Sequence, residues 1–197
     1  MTQTDSATDR TAPTDVPILP VLAKRWSPRA YDGTTPIDET KLASALEAAR
    51  WSPSAFNHQP WRFLVARRGT ESHAALTRTL IDFNAQWAPA AGVIIVTVAE
   101  MHTEDGKPRD TAPYDLGQAV AHLSVQAHHD GLFAHQMTGF DAAAVHRHFD
   151  LPDRFEVVSL IALGELGDPS ALPEATRARE TAPRERRPVA ESVLVDD

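Results

Sequence analysis

Two stretches limit what this chain can fold into. Gly92–Ala99 reads GVIIVTVA and Val157–Gly164 reads VVSLIALG. Both are aliphatic or β-branched at nearly every position. A strand with one wet face alternates apolar and polar residues; a continuous apolar run suits a strand covered on both faces. The rest of the chain must therefore supply the cover.

The expected cover is helical. Ile37–Trp51 places Leu42, Ala45, Leu46 and Ala49 at helical spacing, with Asp38 as N-cap, Glu39 in the first turn and Pro53 just beyond the end. Thr70–Phe83 reads as a second helix. Tyr114–Asp130 is the longest, with Leu116, Ala119, Val120, Leu123 and Ala127 on one side and Gly131 as the residue that ends it. A short helix begins near Ile18–Lys24, and Asp141 caps another that runs to Phe149. Trp61–Arg67 and Leu132–Met137 read as further strands. Met101–Ala112 reads as a polar loop. Four or five strands thus alternate with helices, and no internal repeat is present.

The 197 residues are 42% hydrophobic, enough for one domain with a core. Residues 1–17 are polar and are expected to be a disordered tail, leaving a single domain over 18–197. Beyond Gly167 the chain is rich in Pro, Arg and Glu and shows no core pattern until Val193–Val195. Such an arm either lies on something, often a second subunit, or is a disordered tail.

Charge and composition exclude several functions. The net charge is −8, from 27 acidic and 19 basic residues, which argues against nucleic-acid binding. With no cysteine there is no disulfide, thiolate metal site or thiol nucleophile. The N-terminus lacks the basic and apolar regions of a secretory signal. The longest apolar run, Ala88–Ala99, falls short of the roughly 20 residues that span a membrane. A cytoplasmic address is expected. Nine histidines form no ligand pattern, so no metal site is expected. Neither a nucleophile elbow nor a glycine-rich nucleotide loop is present.

Four segments carry groups suited to ligand chemistry. Arg25, Ser27 and Arg29 alternate, so an extended chain turns two guanidinium forks and a hydroxyl to one side, as a phosphate requires. The same residues also fit a solvated charged turn. Pro53–Trp61, PSAFNHQPW, is a proline-held loop in which Ser54, Asn57 and Gln59 offer donors and acceptors to a heterocycle edge; an ordinary connection is the alternative. Met137-Thr138-Gly139-Phe140-Asp141 lies where a strand meets a helix, and Gly139 lets a ligand approach the main chain. A turn with an N-cap explains it equally. Arg184-Glu185-Arg186-Arg187-Pro188 is a second basic cluster or a solvated run.

In order and spacing these segments resemble the nitroreductase family of FMN-dependent oxidoreductases. The resemblance runs from about Val21 to Val195, through RWSPR, ARWSPSAFNHQPWRF, Phe83-Asn84, MTGFD, LPDRFEVVSLIALGE and RERRPVAES. It implies an α+β nitroreductase-like fold, a mixed sheet flanked by helices, in a homodimer with a C-terminal arm and FMN at the interface. Arg25, Ser27 and Arg29 would then meet the ribityl phosphate and flavin, with Trp26 contributing main chain. Pro53, Ser54 and Asn57 match a loop supplied by the other subunit. Asn84 would lie near the pyrimidine side, and Met137, Thr138 and Gly139 near the isoalloxazine. Arg184 and Arg186 match the C-terminal phosphate contacts, with Arg187 a substitute one position on.

The implied activity is ping-pong hydride transfer from NADH or NADPH, through flavin N5, to a nitroaromatic, quinone or related small-molecule acceptor. A flavin-dependent dehydrogenase of a biosynthetic intermediate and a non-catalytic flavin-binding dimer are the alternatives. No residue stands out as an obligatory acid or base.

Overall fold

The computed structural model describes residues 10–195. Its sheet has the spatial order β1-β2-β4-β3, where β1 is Trp61–Arg67, β2 is Val93–Glu100, β3 is Phe133–Met137 and β4 is Phe155–Gly164. The two apolar runs are the inner strands, as covered strands should be. All 8 residues of β2 are buried. Val93, Ile95 and Ala99 join one core cluster with Ile161 and Leu163 of β4. Ile94, Val96 and Val98 join the other, with Leu160 and Ala162. Burial on both faces thus follows the strand period of two.

The α+β class holds, but among the described residues each neighbouring pair is antiparallel, where a mixed sheet was expected. The connectivity explains this. β2 and β3 run the same way, joined through a long helix, and β4 inserts between them in the opposite direction.

Helices α2 (Glu39–Arg50) and α5 (Ala112–His129) pack together over one face. Asp38 caps α2 through Thr40 N at 2.9 Å and Lys41 N at 3.2 Å. Pro113 stands in the first turn of α5, where its missing N–H costs nothing. Gly131, at φ +83°, ends α5 while Leu132 N donates to Ala127 O at 2.8 Å. The short helix α1 (Pro20–Lys24) lies against α5. On the opposite face lie α3 (Glu71–Thr77), α6 (Ala142–His148) and the buried Trp87, which stacks on Tyr31.

Three expectations change. The helix read over Thr70–Phe83 is broken: α3 stops at Thr77 and α4 is only Asp82–Ala85. Between them Leu80 bridges Phe140, and Ile81 N donates to Gly139 O at 3.1 Å. Pairing with a distant segment therefore replaces the next helical turn, and Asp82 takes φ +37°. The arm beyond Gly167 also contains a helix, α7 (Glu174–Thr181), which buries polar residues Thr176 and Glu180 and so shows no apolar stripe. Finally, of the tail expected over 1–17, residues 1–9 lie outside the described residues. Arg10 donates to Ala182 O at 2.7 Å and Ala12 N to Ala23 O at 2.9 Å.

Among the described residues no helix is long and apolar enough to cross a membrane, and no histidine–carboxylate group could hold a metal ion.

Candidate functional site

After α1 the chain becomes extended at Arg25, with φ −61° and ψ 132°, and crosses β3. His135 of β3 meets Pro28 O through Nδ1 at 2.7 Å. Pro28 can only accept there, so Nδ1 carries the proton. Burial, opposed by this hydrogen bond, pushes His135 down to about 4, with Arg29 and Arg25 lowering it further. The ring is therefore neutral at pH 7 beneath the arginines.

Arg25 donates to Ser27 Oγ at 3.4 Å. Its guanidinium is lowered by burial and then by the charge of Arg186. Among the described residues no carboxylate forms an ion pair with Arg25. Trp26 turns its ring onto Phe133, edge to face at 6.5 Å, with Arg10 over it at 4.8 Å. Its side chain is thus occupied and its main chain remains available.

Arg29 is different. Its N–H and that of Ala30 both donate to the buried Glu180 carboxylate of α7, at 2.9 and 3.0 Å. Its guanidinium stands 3.8 Å from the same carboxylate and over the Phe83 ring at 5.5 Å. Arg179 approaches that ring too, at 4.7 Å. Burial lowers Arg29, Glu180 raises it and Arg179 lowers it.

Phe83 leads directly to Asn84, whose amide donates to Gly139 O at 3.2 Å. A Cβ at Gly139 would come within 2.6 Å of that amide nitrogen, so a larger residue would displace Asn84. Thr138 is exposed beside it, while the Met137 side chain is buried in the core. Asn84 and Thr138-Gly139, distant in sequence, thus form one surface next to Arg29.

The C-terminal arm returns to the same region. Arg184 places its guanidinium on three carbonyls: Ala23 O at 2.7 Å, Arg25 O at 2.8 Å and Arg10 O. It therefore braces the main chain at Arg25. Arg186 and Arg187 join Arg25, Arg184, Val16 and Leu22 around a cavity of about 660 Å³.

The loop Pro53–Pro60 does not join this cluster within one chain. Ser54 Oγ accepts from Gln59 N at 3.0 Å, and Ala55 N donates to buried Asp115 at 3.2 Å. Arg109 donates to His58 O at 3.2 Å and Arg62 to Gln59 O at 2.9 Å. Both arginines also reach the buried Glu100, at 3.6 and 3.0 Å, as does Arg154 at 3.4 Å. Pro53 and Asn57 are exposed, and Phe56, Asn57 and Gln59 all have positive φ.

The donor set fits a phosphate-bearing planar cofactor. Arg25 and Arg186 line one cavity, with Asp15 and Glu185 also on its wall, and the charge of Arg186 disfavours that of Arg25, which an anion bound there would relieve. Among the described residues, Arg29 Nε is buried without a partner. Gly139 leaves main chain open beside an amide side chain. Sequence reasoning missed Glu180, Arg179, His135 and Glu100. The two glutamates lie among many acidic residues, and nothing local marks either as buried.

The model of the nitroreductase family matches residues 22–89 and 81–165. The chain belongs to that family. A solved structure described as an oxidoreductase containing FMN is 36% identical, covers 98% of this chain and 96% of its own, and has a TM-score of 0.89. An uncharacterised 15.4 kDa protein of Mycolicibacterium smegmatis is 36% identical over 132 residues, 64% of this chain and 88% of the relative. An NADH dehydrogenase of Thermus thermophilus is 28% identical over 193 residues, 77% of this chain and 92% of the relative.

Proposed function

We propose that this nitroreductase-family chain is an FMN-dependent oxidoreductase that uses NADH or NADPH to reduce a small organic acceptor, a nitroaromatic or quinone being the class that fits. The observation that carries this is that Arg25 and Arg186, from opposite ends of the chain, line one cavity and, among the described residues, neither forms an ion pair, although Asp15 and Glu185 also line it. The 36% identity to an oxidoreductase containing FMN supports the cofactor.

In this reading Arg25 and Arg186, with Arg187 beside them, hold the phosphate. Ser27 orients Arg25, and Arg184 braces the segment through its carbonyls. Asn84 and the main chain at Thr138-Gly139 position the ring system. When bound, FMN supplies the hydride chemistry. Donor and acceptor use one opening in turn, which is ping-pong kinetics. Two copies form the working unit, and loop 53–57 of one completes the site of the other; that the loop is held by Asp115, Arg62 and Arg109 rather than by the basic cluster of its own chain supports this.

The purified protein is expected to be yellow and to bleach anaerobically with NADH or NADPH. Bound FMN that neither nicotinamide bleaches would overturn the NAD(P)H assignment, and failure to bind FMN would overturn the whole reading.

A further inference from the structure

Trp51, Phe56 and Tyr114 are exposed, while the chain's other tryptophan, tyrosine and phenylalanine side chains are at least partly buried. The three gather at one end of the α2–α5 pair. Trp51 caps α2 just before the loop, Phe56 lies within it, and Tyr114 precedes Asp115, which holds the loop through Ala55 N. Trp51 is already engaged: its indole N–H donates to Glu47 at 2.8 Å and Arg50 covers its ring at 4.9 Å. Phe56 is 93% exposed, and among the described residues its one ring neighbour is His58 at 5.6 Å.

Its backbone is also strained, at φ +51°, where a bulky side chain is disfavoured. The loop could relax and fold the ring inward, but it is pinned. Ser54, Asp115, Arg109 and Arg62 each fix a main-chain group of residues 55–59. Arg62 and Arg109 are in turn anchored on buried Glu100. A scaffold that holds an apolar ring in water at a strained residue prepares that ring for a contact.

We propose that Phe56 is the stacking surface for a planar aromatic acceptor, presented by one subunit to the site of its partner. The proposal rests on the shared-site reading above. A phenyl face offers no hydrogen bonds, so it selects ring planarity over particular substituents and favours offset or edge contacts with other rings. Phe56 thus separates acceptors by class, while the basic cluster holds the cofactor.

The test uses FMN-loaded protein, with Phe56→Ala and Phe56→Tyr as variants. Naphthalene-2-carboxylate, a planar ring without a reducible group, serves as probe and its binding is measured by calorimetry. Phe56→Ala should weaken that binding on the order of tenfold, within the range of aromatic pair energies. It should also raise KM for 1,4-naphthoquinone more than it changes kcat, and lower the preference for naphthoquinone over ferricyanide by a similar factor. Phe56→Tyr should restore both. Probe binding that is absent in the wild type, or equal in wild type and Phe56→Ala, would overturn the proposal. So would a Phe56→Ala variant that sediments as a monomer and loses both acceptors in parallel, because the ring would then be a subunit anchor. A wild-type monomer with Phe56-dependent probe binding would instead refute the shared site and leave the stacking role in place.

Discussion

Two clusters of arginines in this molecule are built in opposite ways. Arg62, Arg109 and Arg154 surround Glu100, whose carboxylate is buried at the end of β2. Arg25, Arg184 and Arg186 line one cavity and, among the described residues, none of them forms an ion pair, although Asp15 and Glu185 line it too; after burial, Arg25 is lowered by the charge of Arg186, and Arg184 by those of Arg25 and Arg186. The first group is closed: its charge ties two loops to the sheet. The second is open, and its unbalanced charge is available to an anion. Arg29 stands between the two cases, since Glu180 meets its main chain while its Nε has no partner. In the reading proposed above, identical side chains thus serve structure or binding according to whether a carboxylate pairs with them.

The sharpest way to break this comparison is to neutralise Glu100. Glu100→Gln leaves three guanidiniums around an uncharged amide, and unfolding stability should fall by about 3 kcal/mol, the range for losing one partner of a buried ion pair. Urea denaturation measures it. An unchanged midpoint would mean the closed group is not structural. Arg25→Ala, by contrast, removes one of several mutually repelling charges and should leave the urea midpoint of the apoprotein nearly unchanged.

His135, hydrogen-bonded to Pro28 O between Arg25 and Arg29 in the sequence, adds a pH dependence. His135 titrates near 6.5 when unfolded and at about 4 when folded. Between those values the unfolded chain binds the extra proton, so stability present above pH 6.5 is lost as pH falls toward 4. The full effect is on the order of 3 kcal/mol before other groups are counted. His135→Asn should flatten that part of the profile. A wild-type minus variant difference that stays constant from pH 7 to pH 4 would contradict the neutral ring.

A smaller effect is expected on the ligand side. Arg25→Ala should weaken FMN binding by about 1.5–3 kcal/mol, the range for hydrogen bonds to charged groups. Fluorescence titration reads this directly, and unchanged affinity would remove Arg25 from the phosphate site. The smallest change provides the baseline. Arg67 pairs with Glu39 at 2.5 Å on the surface, with both side chains about half exposed. Arg67→Ala should cause no resolvable change in stability, because solvent screens such pairs.

Much of the fold was legible because it follows from local chemistry. GVIIVTVA and VVSLIALG are inner strands because no other element buries both faces over so short a run. Asp38, Asp141 and Gly131 mark helix ends through interactions made within a few residues. The contacts of Arg184 with Arg25 O and of Asn84 with Gly139 O each join segments far apart in the sequence, and no single motif announces either. What could not be read were the break after Thr77 and the helix at Glu174–Thr181. The first is made by Phe140 and Gly139, some 60 residues away. The second buries a carboxylate against main chain 151 positions distant.

The sequence alone therefore determined the inner strands, the helix ends, the absence of thiol chemistry and the residue types available for binding a phosphate. Only the tertiary structure decided which arginines remain open. A guanidinium's role depends on the charges within a few ångströms of it, and Glu100 and Glu180 reach their positions only after the chain has folded. In sequence RWSPR and RERRP look alike. In space Arg25 and Arg186 line one cavity, Arg184 is taken by three carbonyls, and Arg29 is held by a glutamate from the far end of the chain.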